Sequence, residues 1–466
     1  MEDNKGLKKT LGFWTLYTIG VGAVVGDGVF TFTGYGVAEA GPSLIVVYAL
    51  VGLLQMFLML SFGELVQWHP SSGGPEVWVR KLVSPRWGAV SSLLFSAGWL
   101  FTGGTTGLAL GVYTHNFFLH FGMPLSPTSL WVAVFAVGWI SVFALLNILG
   151  VDIAAKVQLI MVFFLITIVV AYEVIASAYI DPANYVPFMP NGFQGVVRGF
   201  PIATYAFMGA STVIFASEEA RKPVDVARVL LWSSLTFIVM YTWALIAAVG
   251  TLEQSEIQKF YESIYVSSAQ KVIGPIFANI INIAAWLAAA TCALMGTIYQ
   301  PSRDLYNLAK SGYKVPKMLG YIHPEYRTPS KNIIIVWAIV VLLIVIGSIA
   351  GQTMVFQLAG YYVVWTWCVS WMFTLKASFN FRKYHKAESE ALPWRVPLWP
   401  LTPILGIVGI LVCVVATFID LYMGYGVKIM VIWGVVAILL VPAFYLFTKH
   451  YSPDNIFDNE TQFGNV

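Results

Sequence analysis

The chain has 466 residues, 58% hydrophobic and 11% charged, with a formal net charge of +3 and a mean hydropathy of +0.75. Soluble domains carry about 25% charged residues, so this composition excludes a string of soluble domains. It fits one bundle of about twelve membrane spans, each needing roughly 20 apolar residues. The small positive charge gathers in loops without interleaved aromatics, which excludes a nucleic-acid partner and leaves membrane lipid as the expected surround.

In chain order, the apolar runs predict spans at 12–35, 43–68, 87–118, 128–149, 153–180, 198–217, 226–250, 272–300, 331–350, 353–376, 402–423 and 427–448. The third is long for one crossing and should tilt. The first has no small-residue cleavage site, so it reads as a span and not as a removable leader. With the N-terminus placed in the cytoplasm, only Arg198, Lys259, Lys271 and Lys428 of the 26 Lys and Arg residues fall outside. That bias is a strong positive-inside signal, and it puts both termini in the cytoplasm of a multi-pass protein of the cell membrane.

Span 1 is interrupted by glycines, reading Thr18-Ile-Gly-Val-Gly-Ala-Val-Val-Gly-Asp-Gly-Val-Phe30. Span 6 is interrupted too, from Gly199-Phe-Pro201 through Met208-Gly-Ala210 to Glu218-Glu219. Pro201 lacks an N–H and clashes with the preceding turn. Broken backbone at membrane depth survives only where it is buried or lines a cavity. Two such breaks, at corresponding places in two halves, point to a transporter binding site.

Besides Asp27, the ionisable residues singled out inside the spans are Glu64 near the cytoplasmic end of span 2, Glu173 in the outer part of span 5, and Lys156 near its inner end. Lys156 is expected to snorkel; the others are functional candidates by their depth. Between spans 7 and 8, Leu252, Ile257, Phe260, Tyr261 and Ile264 recur at helical spacing and predict a short surface helix. The tail after Tyr451 is polar and expected to be loosely held. Cys292, Cys368 and Cys413 all fall within spans and read as packing residues. No histidine pair stands beside them, so no metal or cofactor is implied. A nucleotide-binding Gly-x-x-x-x-Gly-Lys loop is missing, as are His-Glu-x-x-His and nucleophile–base motifs, so neither a primary pump nor a hydrolase is expected.

Six short motifs occur in order along the chain. They are Val25-Gly26-Asp27-Gly28-Val29-Phe30; Phe62-Gly63-Glu64-Leu65 followed by His69-Pro70-Ser71-Ser72-Gly73-Gly74; Asn147-Ile148-Leu149-Gly150-Val151; Glu218-Glu219-Ala220-Arg221-Lys222-Pro223; Ser302-Arg303-Asp304-Leu305-Tyr306 through Tyr326-Arg327-Thr328-Pro329; and Trp394-Arg395-Val396-Pro397. With these motifs the chain resembles the amino acid–polyamine–organocation superfamily of secondary transporters, from about residue 10 to 450. The resemblance implies an all-α polytopic fold, with five plus five helices in inverted repeat and discontinuous helices 1 and 6. Repeat one would cover about 10–180, repeat two about 195–376, and two extra helices about 400–449, ahead of a polar tail at 451–466. It also implies secondary active transport of an amino acid or related amine, coupled to protons or run as exchange. A substrate sensor on the same fold and an uncoupled channel are the alternatives.

In such a site the break at Gly26–Gly28 offers helix N-terminal N–H groups to a carboxylate. The break at Ala206–Ala210 offers carbonyls to an ammonium. Val25, Gly26, Asp27, Gly28, Tyr205, Ala206, Phe207, Gly209 and Ala210 are the candidate substrate-binding residues, and Asp27, Glu218 and Glu219 the candidate coupling or gating groups. Close helix packing alone would also use Gly20, Gly22, Gly26 and Gly28, but it leaves the second break without a reason.

Two positions depart from the family pattern. Ala210 stands where a large aromatic is usual, so either a larger substrate side chain is accommodated or another aromatic gates, the candidates being Phe207, Tyr205 and Trp99. Asp27 stands where a small or hydroxyl residue is usual. It reads as a helix cap, as a ligand for an amine, or as a proton carrier. Some relatives carry a lysine at the position of Leu165, and no lysine stands there in this chain.

Overall fold

The computed structural model describes residues 11–26, 28–71, 73–120, 122–123, 125–259, 264–350, 352–448 and 451–456. The chain is almost entirely helical, and among the described residues nine helical segments are long and apolar enough to cross a membrane. Asp27 lies outside the described residues, as do Phe260 and Tyr261 of the expected surface helix.

The first segment is composite. Helix α1 (Phe13–Val24) ends at Val25, whose ψ of 84° leaves the helical region. A wide π-type turn (Gly28–Phe32) then leads into α2 (Thr33–Ala40), and α3 (Leu44–Trp68) turns back. A short α4 (Pro75–Leu82) follows, then the long α5 (Pro85–His120), α6 (Thr128–Leu149) and α7 (Val151–Ser177).

Helix α8 (Gly192–Phe207) runs through Pro201 without interruption. The chain breaks later, at Met208 and Gly209. Gly209 holds φ at 112°, a region open chiefly to glycine, and a 3₁₀ segment (Ala210–Glu219) continues the crossing. The proline therefore costs a hydrogen bond but does not place the break.

Next come α9 (Pro223–Thr251), α10 (Gln254–Lys259), α11 (Ile264–Val272) and α12 (Pro275–Thr291). The expected surface helix is seen in the described residues as Gln254–Lys259 and Ile264–Val272. Leu252, Ile257 and Ile264 are buried against the body of the protein, while Glu253, Ser255, Gln270 and Lys271 are exposed on the other face. A π-helical stretch (Cys292–Tyr299) joins α12 to α13 (Gln300–Lys310), followed by α14 (Ser330–Ala350), α15 (Gln352–Tyr384) and α16 (Lys386–Ala391). Helix α17 (Leu401–Phe447) is interrupted at Gly426, with φ 78°. Phe418 packs edge-on against Trp433, so the chain folds back on itself there.

The core is a continuous apolar cluster reaching from Leu16 to Cys413. Trp78, Trp99, Trp367 and Trp371 are among its largest fully buried members. Of the tail, Tyr451–Ile456 pairs antiparallel with Ser311–Tyr313, which gives backbone groups of both segments partners.

Candidate substrate site

The two chain breaks lie against each other. A Cβ added at Gly209 would fall 2.2 Å from the Ala23 carbonyl oxygen, and one added at Gly28 would fall 2.7 Å from the Tyr205 ring and 3.3 Å from the Ala206 Cα. Glycine at both places is what lets the broken segments cross this closely. Carbonyls released at the first break find partners on neighbouring helices: Tyr241 donates to Val24 O at 3.0 Å and Thr291 to Val25 O at 3.2 Å.

A small cavity of about 20 Å³ sits at this crossing, lined by Gly26, Gly28, Tyr205 and Ala206 together with Trp99, Met208 and others. That is room for about one water, so the crossing is closed down around its centre. The Tyr205 hydroxyl bonds Thr105 at 2.8 Å, and its ring lies 4.5 Å from that of Phe32.

Four of the candidate substrate-binding residues therefore meet in one place. Val25 lines a separate small apolar cavity with Tyr172 and Tyr265. Phe207 points away and packs against Tyr48 and Tyr241. Gly209 seats the second break against α1, and Ala210 is buried beside it. Trp99, named in sequence only as a gate, lines the cavity. Thr102, Cys292, Val363 and Trp367 line it too and carried no sequence signal beyond lying in spans.

Above the Phe32–Tyr205 pair, on the face opposite the basic loops, lies a larger cavity of about 380 Å³. Arg198 crosses it, donating from Nε to Asp420 at 2.6 Å and from Nη1 to Glu39, while Tyr361 donates to Asp420 at 2.6 Å. The ends of α2, α8, α15 and α17 are thereby tied together.

The basic-loop face is closed by backbone and hydroxyl contacts. Leu11 N–H donates to Glu219 O at 3.0 Å, and Arg221 N–H to Leu11 O at 2.9 Å. Ser71 N–H donates to Ser217 Oγ at 3.0 Å. Glu218 and Glu219 end the 3₁₀ segment at this face. The Arg303 guanidinium lies 3.6 Å over the Tyr299 ring.

Glu76 on α4 is fully buried, held by Arg80 at 3.0 Å, Asn307 at 2.7 Å and Tyr313 at 3.1 Å. Burial pushes its carboxyl above the usual range, against the pull first of Arg80 and then of Asn307 and Tyr313.

The charged residues singled out in the spans sort by partner. Glu64 is paired with Arg382, with the Nε at 2.8 Å. Lys156 is exposed on α7, and Leu165 is buried. The Oε1 of Glu173 finds no partner among the described residues.

Fold and site together define a multi-pass, all-helical membrane protein in which two broken helices cross at a central cavity. Residues 11–441 match the amino acid permease family, and the chain belongs to it. Its members are transporters, not enzymes. The chain is 27% identical over 350 residues to the branched-chain amino acid permease BcaP of Bacillus subtilis (strain 168), covering 70% of this chain and 72% of the relative. It is 26% identical over 440 residues to the amino-acid permease RocC of the same organism, covering 87% and 88%. It is also 26% identical over 416 residues to that organism's methylthioribose transporter, covering 87% of each.

Proposed function

We propose that this permease carries an amino acid or a related amine across the cytoplasmic membrane by alternating access. The observation that carries the reading is the crossing of the two breaks at Gly28–Tyr205 and Ala23–Gly209 over a central cavity. A substrate there would meet backbone donors at the start of one half-helix and backbone acceptors at the end of the other. Aromatic rings of Trp99 and Tyr205 would cover its apolar part. Branched-chain and other amino acid permeases among the relatives support an amino acid as cargo.

The chain would cross twelve times, with both termini in the cytoplasm, as the basic-residue bias favours. Its halves, about 10–180 and 195–376, would form an inverted repeat with broken helices 1 and 6, the two spans that carry the breaks. Two added helices would occupy about 400–449. Glu218 and Glu219, at the end of the second broken crossing, would gate the inner mouth.

Asp27 has three roles to choose among: cap of the half-helix that follows, ligand for an ammonium, or proton carrier. As a ligand it would favour amines over zwitterions, since two carboxylates in a dry site repel.

Thermal stabilisation of the purified protein by a panel of amino acids, their decarboxylated amines and methylthioribose identifies the class, because a ligand stabilises by its concentration over its dissociation constant. Labelled-substrate flux in proteoliposomes then tests the carrier reading. Saturation with trans-stimulation is expected. Stabilisation without flux would mark a sensor, and flux without saturation a channel.

A further inference from the structure

Asp304, on α13, is only 1% exposed. Its carboxyl accepts a bond from Ser96 Oγ on α5 at 2.8 Å. No lysine, arginine or histidine forms an ion pair with it among the described residues. The adjacent Arg303 turns the other way, over Tyr299. A second buried carboxyl, Glu76 of α4, lies near enough for its charge to act on Asp304, and Glu76 already holds the nearby Arg80. A charged carboxylate buried without a cation costs several kcal/mol by desolvation, about as much as breaking a buried pair. Its neutral form carries no such cost.

The seam between α5 and α13 connects this carboxyl to the central cavity. Trp99, one turn beyond Ser96, lines the cavity and lies so close to Gly296 that a Cβ there would fall 2.1 Å from the indole. Gln300, one turn past Gly296 and one before Asp304, is fully buried. Among the described residues neither of its amide atoms finds a partner, nor does the Trp99 indole N–H. Buried polar groups left without partners are uncommon and call for a reason. Gln300 stands on α13 between Gly296, which meets the benzo edge of the cavity-lining Trp99, and Asp304.

We propose that Asp304 is the proton-binding group of this carrier, loaded through the Trp99–Gln300–Ser96 seam while the basic-loop face is closed and unloaded beside Glu76 when that face opens. The inference rests on the transport reading above. Only an O–H bond is made and broken: the proton comes from water on one side and returns to water on the other. Opening parts α4 from α13, water reaches Asp304, and the solvated carboxylate releases its proton toward the cytoplasm. Coupling thus needs no lysine at Leu165, and Asp27 is left to cap or to bind.

The test uses the full chain in proteoliposomes, with a mixture of labelled L-amino acids and an outside-acid gradient. One proton per substrate supports accumulation of about tenfold per pH unit, since one unit is 1.36 kcal/mol. Asp304→Asn should lose this accumulation and keep exchange against internal amino acids. It should also lose a part of the infrared C=O absorption of buried protonated carboxyls that the wild type shows. Accumulation equal to wild type, or an unchanged infrared band, overturns the assignment, and so does loss of exchange in protein that stays monodisperse. If Asp304→Asn fails to fold, Ser96→Ala decides: it removes the hydroxyl donor to the carboxyl and should move the pH midpoint of uptake, whereas an unmoved midpoint overturns the proposal. Wild-type exchange without gradient-driven accumulation defeats this inference alone. Absence of any exchange defeats the transport reading and this one with it.

Discussion

A Cβ at Gly28 would stand 2.7 Å from the Tyr205 ring, closer than carbons pack, and that ring is held in place by its bond to Thr105. Gly28→Leu should abolish ligand-induced thermal stabilisation in protein that still folds, because the side chain fills the approach to the half-helix start. Gly28→Ala should weaken it by about tenfold, the effect of roughly 1.4 kcal/mol. Unchanged affinity in either variant would remove the first break from the site. Arg198 gives a second test at this scale. It stands between Glu39 and the buried Asp420, and removing it leaves two carboxylates facing each other. Breaking a buried pair from one side costs about 3–5 kcal/mol, less where water reaches it. Arg198→Met should therefore lower the melting temperature, and Arg198→Met with Asp420→Asn should recover part of the loss. At Asp27, Asn caps almost as well as Asp, so Asp27→Asn leaves affinity intact if capping is its role and weakens cationic amines selectively if it is a ligand.

The motifs readable in the sequence turn out to be partners of one another at the level of elements. Gly63 has no side chain because the Trp394 indole occupies that space, a Cβ there falling 2.3 Å from the ring. Next to it, Glu64 accepts from Arg382 and from the Val396 N–H at 2.8 Å, while Gln67 bonds the Trp394 carbonyl at 3.0 Å. The segment after α16 is thus strapped to the end of α3. Gly63→Ala should loosen that strap and speed proteolytic cleavage between Ala391 and Trp399 several-fold, while ligand stabilisation persists; an unchanged cleavage rate would mean that the indole simply shifts aside. In the same way Asn147 reaches the Leu294 carbonyl and Thr328 the Ile148 carbonyl. Each motif was legible because glycine, proline and charge are rare inside an apolar run. The pairings were not, since nothing in a one-dimensional pattern joins Gly63 to Trp394. The breaks were legible for the same reason as the motifs, and the face of each residue near them was not. Tyr205 and Phe207 are two residues apart, so on a helix they point in nearly opposite directions, and only the phase of α8 decides which one meets the cavity. Pro201 misleads in the same span, because a helix anchored on both sides can carry a proline without breaking.

At the scale of the whole molecule, the two faces are unequal. A cavity of about 380 Å³ opens on the side of Arg198, while the basic-loop side is shut by Leu11 against Glu219 and Arg221, and by Ser71 against Ser217. Each of these hydrogen bonds is worth about 0.5–1.5 kcal/mol net. They can therefore be exchanged within the few kcal/mol that separate conformers of one protein. A bistable face of this kind makes a definite prediction. Ser217 is buried in the closed face, so in Ser217→Cys, made in protein whose own Cys292, Cys368 and Cys413 are also buried, the new thiol should resist a membrane-impermeant maleimide added to inside-out vesicles. Adding a transported amino acid to both sides should raise the labelling rate several-fold as the face opens during turnover, and the same reagent added to right-side-out cells should leave the thiol unlabelled. A reporter fused after Val466 should register as cytoplasmic in the same cells. Labelling from the cell exterior, or a rate indifferent to substrate, would mean that the basic-loop face is not the inner gate, and the assignment of sides that rests on Lys and Arg would fall with it.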